Sequence, residues 1–277
     1  MLKQILVLLG ETRSSACARQ YAFRLAQSTQ SRIAGLAGVD LTYLDSPMIG
    51  GIGTSAWQAG INEHIKTQAD AACRRLHEIY EAECRDRRLD FEWLSFDGDP
   101  TESLYHASES CDLVVTGHDT AFHGDVNKPL SETLTNLLAR TPRPAIVCPD
   151  DLTPSDAMML AYDASLPSMR AVQMFTLLGI GEGKSIHVAS IDTSQELAAR
   201  RAAGAVGYLR RHGFEALPHP IVSPLPPAKI LAREVADRKI GTLVMGAYGH
   251  RGFREFLLGS TTSTLAETPP CALFLYH

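Results

Sequence analysis

The strongest constraint on the fold is a repeat. Thr141-Pro142-Arg143-Pro144-Ala145-Ile146-Val147 returns as Thr268-Pro269-Pro270-Cys271-Ala272-Leu273-Phe274, each time closing a stretch with the same order of elements. Residues 4–9 (QILVLL) are a short apolar run suited to a buried first strand, and residues 158–162 (MMLAY) match it. In the first half, apolar residues at helical spacing mark a helix over 15–28, followed by a strand over 33–39. A loose Gly- and Ser-rich segment leads to an amphipathic helix over 62–88. Then come a strand (91–96), a helix (101–110), a strand (113–115), a helix (131–139) and a strand (145–148). After the proline-marked linker 149–156, the second half shows helix 168–178, strand 185–191, helix 195–212, strand 220–222, helix 228–238 and strand 242–245. A helix begins again near Leu265, before a last strand over 271–276. Strands alternating with helices predict an α/β fold with a parallel sheet covered on both faces. Right-handed crossovers make each half a doubly wound five-stranded unit, so two tandem domains are expected at 1–150 and 151–277. A period this long marks a duplicated domain, not a solenoid.

Composition narrows the class. The chain's 277 residues suffice for two cores, and 45% hydrophobic with 21% charged residues is ordinary for a soluble globular protein. A net charge of −5 gives no general attraction to nucleic acid or anionic membranes, so neither partner is expected. No apolar stretch approaches the roughly 20 residues that span a bilayer. The run at 4–9 is too short for a signal peptide, without a small-residue cleavage site, and reads as a strand. The six cysteines, at 17, 73, 84, 111, 148 and 271, contain no Cys-x2-Cys pair. Buried thiols and a cytoplasmic location are expected, rather than disulfides or a zinc framework. The arginines of the 62–88 helix interleave with acidic residues and read as a solvated face. Gly50-Gly51-Ile52-Gly53-Thr54 lacks the Gly-Lys-Ser/Thr ending of a P-loop.

The chemistry concentrates near the carboxyl end. Leu243-Val244-Met245 is a buried strand ended by Gly246, Gly249 follows, and Gly259-Ser260-Thr261-Thr262 precedes the helix at Leu265 and Ala266. Strand, glycine loop and helix N-terminus make a phosphate cradle: glycines admit the anion to the backbone, and free amides with a favourable dipole supply donors. In strand order 3-2-1-4-5 the crevice between strands one and four brings Asp163 beside this loop. An Asx-turn or helix-capping role fits Asp163 as well, since Ser165 and Pro167 follow.

The spacing Gly-x2-Gly-x9-Gly-Ser, complete at Gly246, Gly249, Gly259 and Ser260, resembles the nucleotide-binding signature of the universal stress protein family. The resemblance extends over both halves, although the specific motif occurs only in the second. It implies ATP, with or without magnesium, as cofactor, and a fold of the adenine-nucleotide alpha hydrolase, Rossmann-like kind. It also implies Asp163 against the adenine and ribose, and Gly246 and Gly249 along the ribose-phosphate region, with Met245 a further candidate contact to the nucleotide. Gly259, Ser260 and Thr261 would hold the phosphates, and His250 and Arg251 are candidates to neutralise their charge, or are exposed loop residues. Val188 and Val222 are candidate walls for the base, and core packing explains them equally well. Family members commonly dimerise through their last strands. Here residues 145–148 and 271–276 are expected to pair within one chain as an internal pseudo-dimer, leaving open whether two chains associate further.

The first half departs from this pattern. Gly10 stands where Asp163 stands, Thr116-Gly117-His118-Asp119-Thr120 replaces Gly-Ala-Tyr-Gly-His, and Leu130-Ser131-Glu132-Thr133 replaces Leu-Leu-Gly-Ser. A carboxylate at Glu132 disfavours phosphate, so this half is expected to lack the ATP site; Gly117, His118, Ser131 and Thr133 remain candidates for some other ligand. His118, Asp119, His123 and Asp125 have no regular ligand spacing, and a hydrated loop is expected there rather than a metal site. There is no Walker lysine, Gly-x-Ser-x-Gly elbow or His-Glu-x-x-His. Together these features lead to a nucleotide-responsive adaptor in the stress response, working with a protein partner that the residues do not identify. A slow ATP-hydrolysing enzyme and a nucleotide-independent scaffold are the alternatives.

Overall fold

The computed structural model describes residues 1–40, 54–120, 122, 141, 143–247 and 259–277. The first half contributes β1 (Gln4–Leu8), α1 (Arg13–Thr29), β2 (Arg32–Asp40), α2 (Thr54–Asp86), β3 (Phe91–Gly98), α3 (Pro100–Glu109), β4 (Leu113–Gly117) and β5 (Ala145–Cys148). The second contributes β6 (Met158–Ala161), α4 (Leu166–Leu178), β7 (Ser185–Asp192), α5 (Gln195–Arg211), β8 (Glu215–Val222), α6 (Pro227–Asp237), β9 (Thr242–Gly246), α7 (Ser260–Glu267) and β10 (Ala272–Tyr276). The helix expected over 131–139 and the loop residues Gly50 to Gly53 lie outside the described residues.

All these strands join one ten-stranded sheet, in the order β3-β2-β1-β4-β5-β10-β9-β6-β7-β8. Read outward from the centre, each half has its fifth, fourth, first, second and third strand, the doubly wound order. Neighbours within a half run parallel. The central pair β5 and β10 is antiparallel, with Val147 opposite Leu273 and Ala145 opposite Leu275. The two last strands therefore pair within the chain, and edges that otherwise invite association are used up internally.

Inner strands are buried on both faces, as parallel sheets require. Along the first strand, Ile5, Val7 and Leu9 join one layer with Phe23 of α1, Tyr80 of α2, Phe175 of α4 and Leu209 of α5. Leu6 and Leu8 join the other, with Leu104 of α3, Leu231 of α6 and Leu265 of α7. Both layers run unbroken across the central seam. Backbone bonds cross it, as from the Leu2 amide to the Leu178 carbonyl at 3.2 Å, and so does a buried side-chain pair: the hydroxyls of Tyr21 on α1 and Thr242 on β9 lie 3.0 Å apart. Tyr21→Phe removes that bond and strands the Thr242 hydroxyl. The expected loss is about 1–2 kcal/mol, read as a lower urea midpoint; an unchanged midpoint would remove the seam bond from the account.

Two boundaries differ from expectation for identifiable reasons. The third strand of the second half is eight residues long, not three, because Pro218 and Pro220 lie within it. β8 is the sheet's outer strand, where an outward-facing N–H has no partner to lose. Helix α4 starts before Pro167 rather than after it, since proline suits the first turn of a helix. The six cysteines are free, and burial pushes the Cys84 and Cys111 thiols up to about 11. No helix among the described residues is long and apolar enough to cross a membrane.

Candidate functional site

A cavity of about 400 Å³ opens at the carboxyl ends of β6 and β9, where the strand order reverses. Its volume lies in the range of small-molecule sites. Asp163 and Ser165 bound it on one side, Met245 and Gly246 form its floor, and Gly259 to Thr262 close the other side. Ala161, Ala189, Ile191 and Leu231 supply an apolar wall. Tyr162 also lines it, and burial, with Asp163 second, pushes its phenol up.

The α4 side is built by local hydrogen bonds. Asp163 Oδ1 accepts from the Ser165 amide at 2.9 Å, an Asx turn, and Ser165 Oγ accepts from the Ser168 amide at 3.3 Å as the helix cap. Between them Ala164 takes a left-handed conformation, with φ of 63°. The turn holds the Asp163 carboxylate at the cavity margin, so its Asx-turn role leaves it beside the cavity.

The opposite side is the start of α7. Thr262 Oγ1 donates to the Gly246 carbonyl at 3.0 Å, and the Gly259 amide to the Ala247 carbonyl at 3.4 Å. These bonds tie the helix to the end of β9. Gly259, at the N-cap position, has no side chain to bond the first-turn amides, whereas α1, α4 and α5 are capped by Thr12, Ser165 and Ser194. An N-terminus of this kind directs backbone donors and a positive dipole end into the cavity. Gly246 has a second reason to be glycine. A Cβ there would meet the Pro167 carbonyl carbon at 2.7 Å and the Ser168 nitrogen at 2.8 Å, so β9 and the first turn of α4 pack backbone to backbone.

The structure thus brings together Asp163, Met245, Gly246, Gly259, Ser260 and Thr261. Gly249, His250 and Arg251 lie outside the described residues. Val188 does not reach the cavity: it is fully buried in the opposite helical layer, among Phe175 and Leu209. Side chains alternate along β7, so its neighbour Ala189 lines the wall instead, followed by Ile191. Val222 is 52% exposed at the end of the outer strand and is not part of the wall. The signal for this parity is available in the strand: counting back two residues from Ile191 gives Ala189. Leu231 was not anticipated as a lining residue either.

In the first half the corresponding strand end and helix start are joined by hydroxyl hydrogen bonds. Gly10 precedes the cap Thr12 by two residues, as Asp163 precedes Ser165, so the carboxylate is absent from the equivalent position. Thr12 and Ser15 share a hydrogen bond of 2.9 Å, Ser15 and Thr120 one of 2.6 Å, and Thr120 Oγ1 accepts from the Gly117 amide at 2.9 Å. This set ties the end of β4 to the first turn of α1. The register expected between the halves also shifts by one. Gly117, not Thr116, is the counterpart of Gly246, because its Cβ would meet Ser14 and Ser15 in the first turn of α1. Ser131 and Thr133 lie outside the described residues, as do His123 and Asp125. Of the expected polar cluster, His118 and Asp119 are described, and they converge with Asp150, a residue of the linker.

Comparison with known proteins gives consistent results. Residues 155–277 match the model of the universal stress protein family. A universal stress protein from Archaeoglobus fulgidus DSM 4304 has a similar structure, with a TM-score of 0.72 at 18% identity, covering 99% of this chain and 97% of its own. A putative universal stress protein from Pseudomonas aeruginosa UCBPP-PA14 is similar over 99% of this chain and 93% of its own, with a TM-score of 0.59 at 15% identity. A functionally unknown protein from Pseudomonas aeruginosa PAO1 gives 0.60 at 15% identity over 99% and 92%. No curated protein matches the sequence.

Proposed function

We propose that this protein, whose residues 155–277 match the model of the universal stress protein family, binds ATP in its second half and acts as a nucleotide-responsive regulatory adaptor in a stress response. One observation carries the reading: the Asp163 carboxylate and the start of α7, which has no capping side chain, face each other across one cavity at the strand-order reversal. Asp163 suits the hydroxyls of a ribose or the edge of a base, as an acceptor-only group. The first-turn amides of α7 suit the phosphates, and Ala189, Ile191 and Leu231 offer an apolar surface for the base. With magnesium, the phosphates would carry their own counter-charge. A ligand bridging α4 and α7 favours whichever arrangement of these two helices fits it best, the differential affinity that a regulatory response needs.

Calorimetric titration of ATP, with and without magnesium, tests the reading. The expected stoichiometry is one per chain. Asp163→Asn keeps an Asx turn but loses the charge, and is expected to weaken binding about tenfold or more, the size of a lost hydrogen bond to a charged group. Absence of binding at millimolar ATP, together with no rise in melting temperature, sinks the proposal in favour of a nucleotide-independent scaffold.

A further inference from the structure

The geometry points to a second site, in the first half: His118, Asp119 and Asp150 bind a divalent transition-metal ion of the zinc class. One donor atom from each side chain lies within 4.8 Å of the other two. The His118 Nε2 to Asp150 Oδ1 separation is 3.4 Å. Two donors on a tetrahedral zinc, each at about 2.0–2.2 Å, stand about 3.3–3.6 Å apart, so this edge already has first-shell dimensions.

The fold assembles these residues from distant parts of the chain. Strands β4 and β5 are parallel neighbours, and the His118 amide donates to the Cys148 carbonyl at 3.0 Å. The residues just past the end of β4 therefore sit beside those just past β5. Asp119 accepts a hydrogen bond from Ser14 Oγ, in the first turn of α1. That contact orients the carboxylate from outside, as outer partners commonly do for metal ligands. His118 is largely covered and Asp150 half-exposed, which leaves an open side for entry and for water ligands.

Charge and donor type select the ion. Two carboxylates and one imidazole converge, while Arg13 engages the neighbouring Asp151 at 2.5 Å. An imidazole among the donors favours zinc-class ions over magnesium or calcium, which prefer oxygen alone. The counterpart of His118 in the second half is Ala247, with no donor, so the site belongs to the first half and does not depend on the nucleotide proposal. A metal here would clasp two strand ends to the start of α1.

Calorimetry of the full chain with zinc chloride, and separately with magnesium chloride, decides it. The expected result is a saturable zinc event of one ion per chain, accompanied by a rise in melting temperature, with magnesium far weaker. His118→Ala and Asp150→Asn each weaken zinc at least tenfold and remove the melting shift, while Asp151→Asn leaves both unchanged. Zinc titrations identical in wild type and both ligand variants overturn the proposal, as does a wild type that binds no zinc. Magnesium binding as tight as zinc overturns the assigned class of ion.

Discussion

Gly246→Ala is expected to destabilise the ligand-free protein by about 2–3 kcal/mol, and Gly117→Ala by at least as much. The reason is backbone, not ligand. At Gly246 an added methyl group would stand 2.7 Å from the Pro167 carbonyl carbon and 2.8 Å from the Ser168 nitrogen, neither of which can swing aside. At Gly117 it would stand 2.0 Å from Ser14 Oγ, and 2.6 Å from both the Ser14 carbonyl carbon and the Ser15 nitrogen. Moving the hydroxyl does not relieve the backbone overlap. Urea unfolding of both variants without nucleotide measures the effect. Were Gly246 present only to admit a ligand, its alanine variant would unfold at the wild-type midpoint, and only Gly117→Ala would shift. Two wild-type midpoints would show that the close approach is not needed.

Gly259→Glu is expected to behave in the opposite way, abolishing nucleotide binding without loss of stability. Gly259 has φ of −57° and ψ of 147°, which any residue adopts, so the substitution carries no backbone strain. A carboxylate at a helix start interacts favourably with the dipole, by about 0.3–1 kcal/mol. Against a phosphate about 4 Å away it costs about 4 kcal/mol at an effective dielectric of about 20, or roughly a thousandfold in affinity. The melting temperature of the ligand-free variant is therefore expected to match or exceed that of wild type, while ATP no longer raises it. Retained ATP affinity in a folded variant would remove the α7 N-terminus from the site. A melting temperature well below wild type would show instead that Gly259 is structural.

The alternation of strands and helices was legible because inner parallel strands are uniformly apolar and their helices are not. Runs such as Leu113 to Val115 and Leu243 to Met245 are short and unbroken, with a glycine ending each strand. The outer strand β8 was only partly legible: half-exposed and carrying two prolines, it shows no such run, and it is held by its pairing to β7. Of the cavity lining, the Met245–Gly246 and Gly259–Thr261 stretches followed from one local motif and Asp163 from strand order. The apolar wall was harder, since choosing Ala189 over Val188 depends on which layer each side chain faces, and hydrophobicity favoured the wrong one. Asp150 was invisible as a partner of His118 because its proximity arises only from the pairing of β4 with β5. The hydroxyl closure at Ser15 and Thr120 is likewise tertiary.

The bond between Tyr21 and Thr242 has no mirror image. Counting from the helix caps and strand-end glycines, the counterpart of Tyr21 is Met174 and that of Thr242 is Leu113, a pair with no hydroxyl to share. In an assembly of two identical chains every change at the shared edge appears twice, so a one-sided contact of this kind cannot be introduced alone. Fusing the halves removes that restriction: each side of the seam, and each crevice, can drift independently while the other keeps its task. Fusion also makes docking of the halves intramolecular, so dilution cannot part them or exchange one for a copy from another molecule.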